Sequence, residues 1–305
     1  MIDAGLANIE RNLTNEIQEK IAAIGILCKV FSRAKDVDSI KEKTRRKKED
    51  NAGQNYYGNN KKMQDLIGIR IVTYFYEDVD LLWELFSSVY TVVDESKNKP
   101  SDSNFEPQRK NMVCKLPPQQ LETFEEVKQV NPIYQICDNT FEIQFRTMLS
   151  EGWHEIDHAL RYKSKKEWDF LKEESRMFNG IYATLETSDR ATKQLFDEMA
   201  YKHYKQKRWE AMIRTKFRLH FAHEPLDNQL IEILNDDQSL AKSLYKCERK
   251  YFLKTIISSG LRMKVTFDNI VHALNYLKLN NPEIFKLLPE NLKIDFESKF
   301  KSVLD

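Results

Sequence analysis

Glu142, Gln144 and Arg146 alternate with Phe141, Ile143 and Phe145. This period-two pattern sets a carboxylate, an amide and a guanidinium in one row and three apolar side chains in the other. Such a polar row suits binding a cation, taking a proton and facing an anion, but it is also what an ordinary solvent-facing strand carries. Asp65 stands before an apolar run to Val72 that contains Arg70. An arginine inside a buried strand must find a partner or a ligand, because an unpaired buried charge is costly. Arg33, Lys35, Ser39 and Lys43 supply forked and point-charge donors of the kind that bind polyphosphate; a solvated basic helix face is the plain alternative. His154-Glu155-Ile156-Asp157-His158 matches H-E-x-x-H, in which two histidines at i and i+4 bind zinc. No third histidine follows at the expected spacing, and position 164 is Ser, so a zinc peptidase is a secondary reading.

These groups need elements to place them. Leu6, Ile9, Leu13, Ile17, Ile21, Ile24 and Leu27 recur at three-and-four spacing and predict an amphipathic helix over about 6–31. Asp38 or Ser39 is expected to cap the next helix. A buried strand is expected within 63–72, then a helix from Glu77 through Val89. A polar loop over 97–105 leads to a strand at 111–116, and Pro117-Pro118 breaks the chain before a helix over 121–130. Residues 134–137 and 140–145 read as paired strands around Asp138-Asn139, and 149–161 as a helix. From about 168 the pattern is helical, over 199–221, 226–244, 251–260, 266–279 and 282–304, with Gly260 and Asn280-Asn281-Pro282 as punctuation. The expectation is an α+β fold: a mixed β-sheet flanked by helices over 1–165, then an all-helical region over 166–305 serving oligomerisation or regulation.

The 305 residues carry a net charge of +1, so any basic site must be local. Cys28, Cys114, Cys137 and Cys247 are widely spread, which argues against a disulfide framework or a thiolate zinc site and fits a reducing cytoplasm. No apolar run approaches the length needed to span a bilayer. Tyr201 to Trp209, with three lysines and an arginine among aromatics, would suit RNA backbone and base stacking; a solvated helix face with core aromatics is the alternative.

Taken in order, Arg33-x-Lys35-x-x-x-Ser39-x-x-x-Lys43, Asp65-Leu66-x-Gly68-Ile69-Arg70-Ile71, Glu142-x-Gln144-x-Arg146-Thr147, Trp153-x-x-Ile156-x-His158 and Tyr162-Lys163 resemble the synthetase domain of the RelA/SpoT family, the alarmone synthetases, over about residues 25 to 165. The resemblance is to the small stand-alone or toxic type. It implies a nucleotidyltransferase-like domain that moves the β,γ-pyrophosphate of ATP to the 3′-hydroxyl of GDP or GTP, with Mg²⁺. Arg33 and Arg70 then match the arginines that sandwich adenine, and Lys35, Ser39 and Lys43 the residues that hold the ATP phosphates. Asp65 and Glu142 match the Mg²⁺ carboxylates, Glu142 also being a candidate base; Gln144 and Arg146 position the carboxylate and phosphates. His158 and Lys163 match family positions without an assigned step.

The family's acceptor loop, G-Y-x-S-x-H, is altered here to Asn104-Phe105-Glu106-Pro107-Gln108-Arg109-Lys110-Asn111. Phe105 or Pro107 falls at the Tyr and Asn111 at the His, with Lys97, Lys99 and Arg109 as further acceptor contacts. The altered loop leaves adenosine nucleotides or the tRNA 3′ end as alternative acceptors, and an inactive nucleotide- or RNA-binding protein as the non-enzymatic alternative. No hydrolase signature precedes the region, so alarmone hydrolysis is not expected. The C-terminal helices are expected to form a homo-oligomer or to receive a regulator, such as an antitoxin.

Overall fold

The structure, a computed structural model, describes residues 3–58, 61–97 and 110–304. Lys99, Phe105 and Arg109, and the side chain of Lys97, lie outside what is described. Contacts divide the chain into two compact units: residues 1–18, 28–79 and 83–186 form the first, and residues 19–27, 80–82 and 187–305 the second.

The first unit is built on a five-stranded sheet of β1 (Cys28–Ala34), β2 (Ile67–Thr73), β3 (Val92–Lys97), β4 (Lys110–Lys115) and β5 (Thr140–Thr147). Their spatial order is β1-β2-β5-β4-β3. β2 and β5 run parallel, and the other neighbours antiparallel. The helices are α1 (Ala4–Ile24), α2 (Val37–Asp50), α3 (Glu77–Val89), α4 (Pro118–Val130) and α5 (Met148–Ile156). One sheet face is apolar: Ile67, Ile69 and Ile71 of β2, Phe141, Ile143 and Phe145 of β5, and Met112 and Cys114 of β4 are buried. Trp83 and Phe86 of α3 set their rings 5.4 and 6.5 Å from that of Phe145, and Tyr90 lies edge-on to Phe141 at 5.1 Å. Each such side chain contributes about 1.5–3 kcal/mol by leaving water. The opposite face is left for polar groups.

Several expectations about elements change, and the helices expected over 199–221 and 282–304 are each two. The first helix ends at Ile24 rather than near 31. Gly25 takes φ +72°, and a Cβ there would lie 2.9 Å from Val265 Cγ2, so the chain turns in a way closed to other residues. Leu27 continues the apolar spacing past this break by chance, and β1 follows. The cap of α2 is Asp36, whose carboxylate accepts from Ser39 N at 2.8 Å. Residues 134–137 form no hairpin strand. Asn131 caps a 3₁₀ turn over Pro132–Ile136, and Cys137 makes an isolated parallel bridge with Met63. β3 was not expected: it is an edge strand, exposed and charged at Asp94 and Glu95, with a bulge between Val92 and Asp94.

α6 (Lys165–Trp168) precedes α7 (Lys172–Lys205), which runs from the first unit into the second. There follow α8 (Trp209–Phe217), α9 (Asn228–Asp236), α10 (Gln238–Tyr245), α11 (Arg249–Ser259), α12 (Phe267–Leu274), α13 (Pro282–Lys286) and α14 (Glu290–Leu304). The single helix expected over 226–244 is two, because Asp237 accepts from Ser239 N and Leu240 N, both at 2.9 Å, and starts a new helix. Tyr204 stacks on Tyr245 at 4.9 Å, and buried Trp209 donates from Nε1 to Asn235 Oδ1 at 2.9 Å. Two aromatics of the 201–209 stretch are thus spent inside the unit, while Tyr201 is exposed. Among the described residues no helix is long and apolar enough to cross a membrane.

His272 of α12 is buried, and burial pushes its pKa down to about 4, with Asp227 opposing weakly. The unfolded chain therefore takes up this proton near pH 6.5 while the fold resists it to about 4. Stability from this group is full above pH 6.5 and is lost progressively as pH falls towards 4. Urea midpoints between pH 7.5 and 4.5 should show this decline, and a His272→Gln chain should show a shallower one.

Candidate functional site

The register of β2 against β5 assembles the polar face. Gly68 pairs with Glu142, Arg70 with Gln144, and Val72 with Arg146. On the outer side Arg33 of β1 lies beside Gly68, and Phe31 beside Arg70. On the inner side Val113 of β4 lies beside Glu142, and Asn111 beside Gln144. Paired residues share a face, so Arg33, Gly68 and Glu142 form one row, and Phe31, Arg70, Gln144 and Asn111 the next. A Cβ built on Gly68 would meet nothing within 4 Å. No packing demand explains this glycine. It leaves bare backbone between a guanidinium and a carboxylate, where a ligand can come close.

At the end of this face, before β2 begins, Asp65 gathers two ammonium groups. Lys35 Nζ lies 2.9 Å and Lys43 Nζ 2.5 Å from Asp65 Oδ2, and Lys35 also donates to the Asp65 carbonyl. Lys35 is delivered by the end of β1, its own N–H bonding to Leu66 O at 2.9 Å, and Lys43 by the second turn of α2. Burial acts to raise the Asp65 carboxyl, but Lys35 and Lys43 outweigh it and hold it down at about 2. Burial lowers the Lys35 pKa, with Asp65 opposing and Lys43 adding to the fall. Ser39 is exposed in the first turn of α2, and its backbone N–H is taken by the Asp36 carboxylate.

Along the second row the hydrogen bonds have one direction. Arg70 Nε donates to Gln144 Oε1 at 3.2 Å, and Gln144 Nε2 donates to Glu142 Oε2 at 2.7 Å. Asn111 Nδ2 donates to the other carboxylate oxygen, Glu142 Oε1, at 3.0 Å. Glu142 is thereby held as an acceptor on both oxygens. Arg70 Nη1 also pairs with Glu151 Oε1 at 2.5 Å and with Glu155, both on α5.

The structure therefore brings Lys35, Lys43 and Asp65 together, and Arg70, Gln144, Glu142 and Asn111 together, with Arg33 beside the Gly68 floor. His158 is near them: burial lowers its pKa, and Lys163, Arg33 and Arg70 add to the fall while Glu155 opposes it. Its ring stacks on Tyr162 at 5.8 Å. Arg146 lies in the third row of this register, beside Val72. It is buried, and its Nη1 donates to the carbonyls of Phe145 at 2.7 Å and Lys110 at 3.5 Å.

In the H-E-x-x-H stretch His154 is buried against Trp153 and Tyr182, Glu155 is paired with Arg70, and a π-helical turn runs over Asp157–Tyr162. Sequence reasoning did not single out Phe31 or Glu151, and it read Glu155 only as the glutamate of H-E-x-x-H. The partners of Arg70 had a signal, since a charge within a buried strand requires some, and Glu151 and Glu155 stand at i and i+4.

Mg²⁺ keeps several waters and is bound through one or two carboxylates together with phosphates. The residues present fit that mode. Asp65 Oδ1 is buried and has no hydrogen-bond partner among the described residues, and Glu142 is a second carboxylate that could offer a hard oxygen. No group of three His, Cys, Asp or Glu is gathered among the described residues, so an all-protein cage is not the arrangement.

Residues 32–167 match the family model described as a region found in RelA / SpoT proteins. No curated protein matches the chain. Among solved structures, the small alarmone synthetase 1 from Bacillus subtilis is 23% identical, with a TM-score of 0.43 over 61% of this chain and 92% of that one. The same synthetase bound to its product pppGpp is 22% identical, with a TM-score of 0.44 over 61% and 92%. A GTP pyrophosphokinase family protein from Streptococcus pneumoniae is 19% identical, with a TM-score of 0.46 over 63% and 90%.

The low Asp65 pKa makes a checkable statement about its neighbours. A depressed carboxyl contributes stability that is present above its unfolded value near 3.8 and is lost as pH falls towards about 2. Replacing Lys43 with Met removes one of the two cations and leaves burial less opposed. Carbon-13 titration of the Asp65 carboxyl should show its midpoint move upward in Lys43→Met.

Proposed function

Residues 32–167 belong to the RelA/SpoT family, and on that premise we propose that the chain is a Mg²⁺-dependent pyrophosphokinase moving the β,γ-pyrophosphate of ATP to the 3′-hydroxyl of GDP or GTP. The observation that carries the reading is one sheet face with a cationic end, a bare glycine floor and a carboxylate held by two amides. In this reading the donor phosphates lie against Lys35, Lys43 and the first turn of α2 at Ser39. The donor base lies between Arg33 and Arg70, whose planar guanidinium groups suit a π face. Gly68 lets the nucleotide pass close to the backbone between them.

The acceptor's 3′-oxygen attacks the β-phosphorus. The bond from that phosphorus to the α–β bridging oxygen breaks, and AMP leaves with the bridging oxygen. Glu142 takes the hydroxyl proton, its oxygens already aimed by Asn111 and Gln144. Asp65 and Glu142 would hold Mg²⁺, which would supply charge neutralisation on the phosphates. The protein's part is mostly positioning and preorganised charge. Asn111 sets the acceptor on the β4 side of Glu142, with Lys97, Lys99, Phe105 and Arg109 as its further contacts. The helical region 166–305 is assigned to homo-oligomerisation or regulation, and the compartment to the cytoplasm.

Thin-layer chromatography with γ-labelled ATP, Mg²⁺ and GDP, GTP, ADP, ATP or bulk tRNA tests the reading. Label is expected on GDP or GTP, and Glu142→Gln should lower transfer by about 10²–10⁴-fold. Label on an adenosine nucleotide or on tRNA instead would replace the acceptor, and no transfer to any of them would remove the enzymatic reading. The glycine floor has its own test. Gly68→Ala should melt no lower than the wild type, since alanine in a strand interior is favoured by roughly 0.5–1 kcal/mol. Gly68→Leu, whose side chain occupies the floor, should raise KM for ATP about tenfold or more without lowering the melting temperature.

A further inference from the structure

Arg70 and Arg33 face the same space from neighbouring strands but are held very differently. The Arg70 edge is specified at two atoms: Nε donates to Gln144, and Nη1 is shared by Glu151 and Glu155. Arg33 makes no hydrogen bond or ion pair among the described residues and is exposed. Glu151 and Glu155 stand one helical turn apart on α5, a spacing at which two like charges repel, and the Arg70 guanidinium sits between them. Glu155 is also the glutamate of the H-E-x-x-H stretch, so this pairing gives that residue a use that needs no zinc.

We propose that Glu151 and Glu155 are positioning residues of the donor site. They grip the Arg70 guanidinium by its edge and fix its plane as a plate on which the donor base stacks, while unpaired Arg33 closes from the other side. The inference rests on the assignment of ATP as donor. Its physical content is preorganisation. An arginine that must be ordered on binding gives up rotamer freedom, and one already gripped by its edge has given it up beforehand. The grip leaves the faces of the guanidinium free, since in-plane hydrogen bonds use the edge and stacking uses the face.

The pair also polarises the site. Glu151 and Glu155 offset the charges of Arg70 and Arg33 and leave the base end close to neutral, whereas two ammonium groups around Asp65 leave the far end net positive. A nucleoside triphosphate is thereby directed with its phosphates towards Lys35 and Lys43 and its uncharged base towards Arg70.

The test uses the full chain with Mg²⁺ and two probes, the α,β-methylene analogue of ATP and inorganic tripolyphosphate, which has phosphates but no base. Glu151→Gln, Glu155→Gln and the double variant are compared with wild type by equilibrium binding and thermal melting. In the double variant the analogue should bind about tenfold more weakly, while tripolyphosphate stays within about twofold. KM for ATP should rise with kcat nearly unchanged, and Glu155→Asp should recover part of the loss. Half-exposed Glu155 can be replaced without disturbing the core, so Glu155→Gln alone should show a smaller loss in the same direction. Unchanged analogue binding in the double variant overturns the proposal. So does an equal loss of both probes alongside a lower melting temperature, which marks a brace for the fold. A wild type that binds tripolyphosphate as tightly as the analogue overturns the base-stacking assignment, and the proposal with it.

Discussion

The parallel pairing of β2 with β5 is the constraint from which the polar face follows. It sets Gly68 beside Glu142 and Arg70 beside Gln144. A slip of one residue in either strand would turn these groups to the opposite face. What prevents the slip is the other side of the sheet, where Ile67, Ile69, Ile71, Phe141, Ile143 and Phe145 are buried. Each is worth about 1.5–3 kcal/mol of burial, against roughly 0.5–1.5 kcal/mol for a typical hydrogen bond on the polar side. The apolar set therefore decides the register, and the polar residues take the positions it leaves them.

Within that register the chemistry of the side chains sets a direction. Arginine can only donate, so Gln144 must turn its oxygen to Arg70 and its amide hydrogens to Glu142. Asn111 approaches Glu142 from the other neighbouring strand with a second amide donor. An ionised carboxylate can only accept, and each Glu142 oxygen is met by one amide donor. At the far end the balance differs: Asp65 is outnumbered by Lys35 and Lys43, and the local excess is positive.

Much of this was open to reading from the amino-acid order. The alternation through Glu142, Gln144 and Arg146 marks a strand with one polar face, and Arg70 within an apolar run demands partners. The identity of those partners was not readable, because period two reports a face but not which strand lies alongside, and Arg70 and Gln144 are 74 residues apart. Arg146 shows the limit of alternation from the other side: it shares the parity of Glu142 yet is buried, with Nη1 donating to the carbonyls of Phe145 and Lys110. His154 and His158 invited a zinc reading, but His154 is buried among aromatic rings and the glutamate between them is paired with Arg70. The first helix was overextended because Leu27 keeps the apolar spacing after Gly25 has ended the hydrogen-bond ladder. β3 lacks apolar alternation because an edge strand has less to bury.

That charged composition of β3 bears on the behaviour of the molecule at high concentration. A strand at the rim of a sheet offers unused backbone donors and acceptors to any extended segment from a neighbour. Exposed Asp94 and Glu95, together with the bulge between Val92 and Asp94, mean that an incoming strand would have to desolvate carboxylates and match an irregular ladder. This margin of the sheet is thus guarded against runaway strand addition, a protection that a more regular and more apolar β3 would have forfeited.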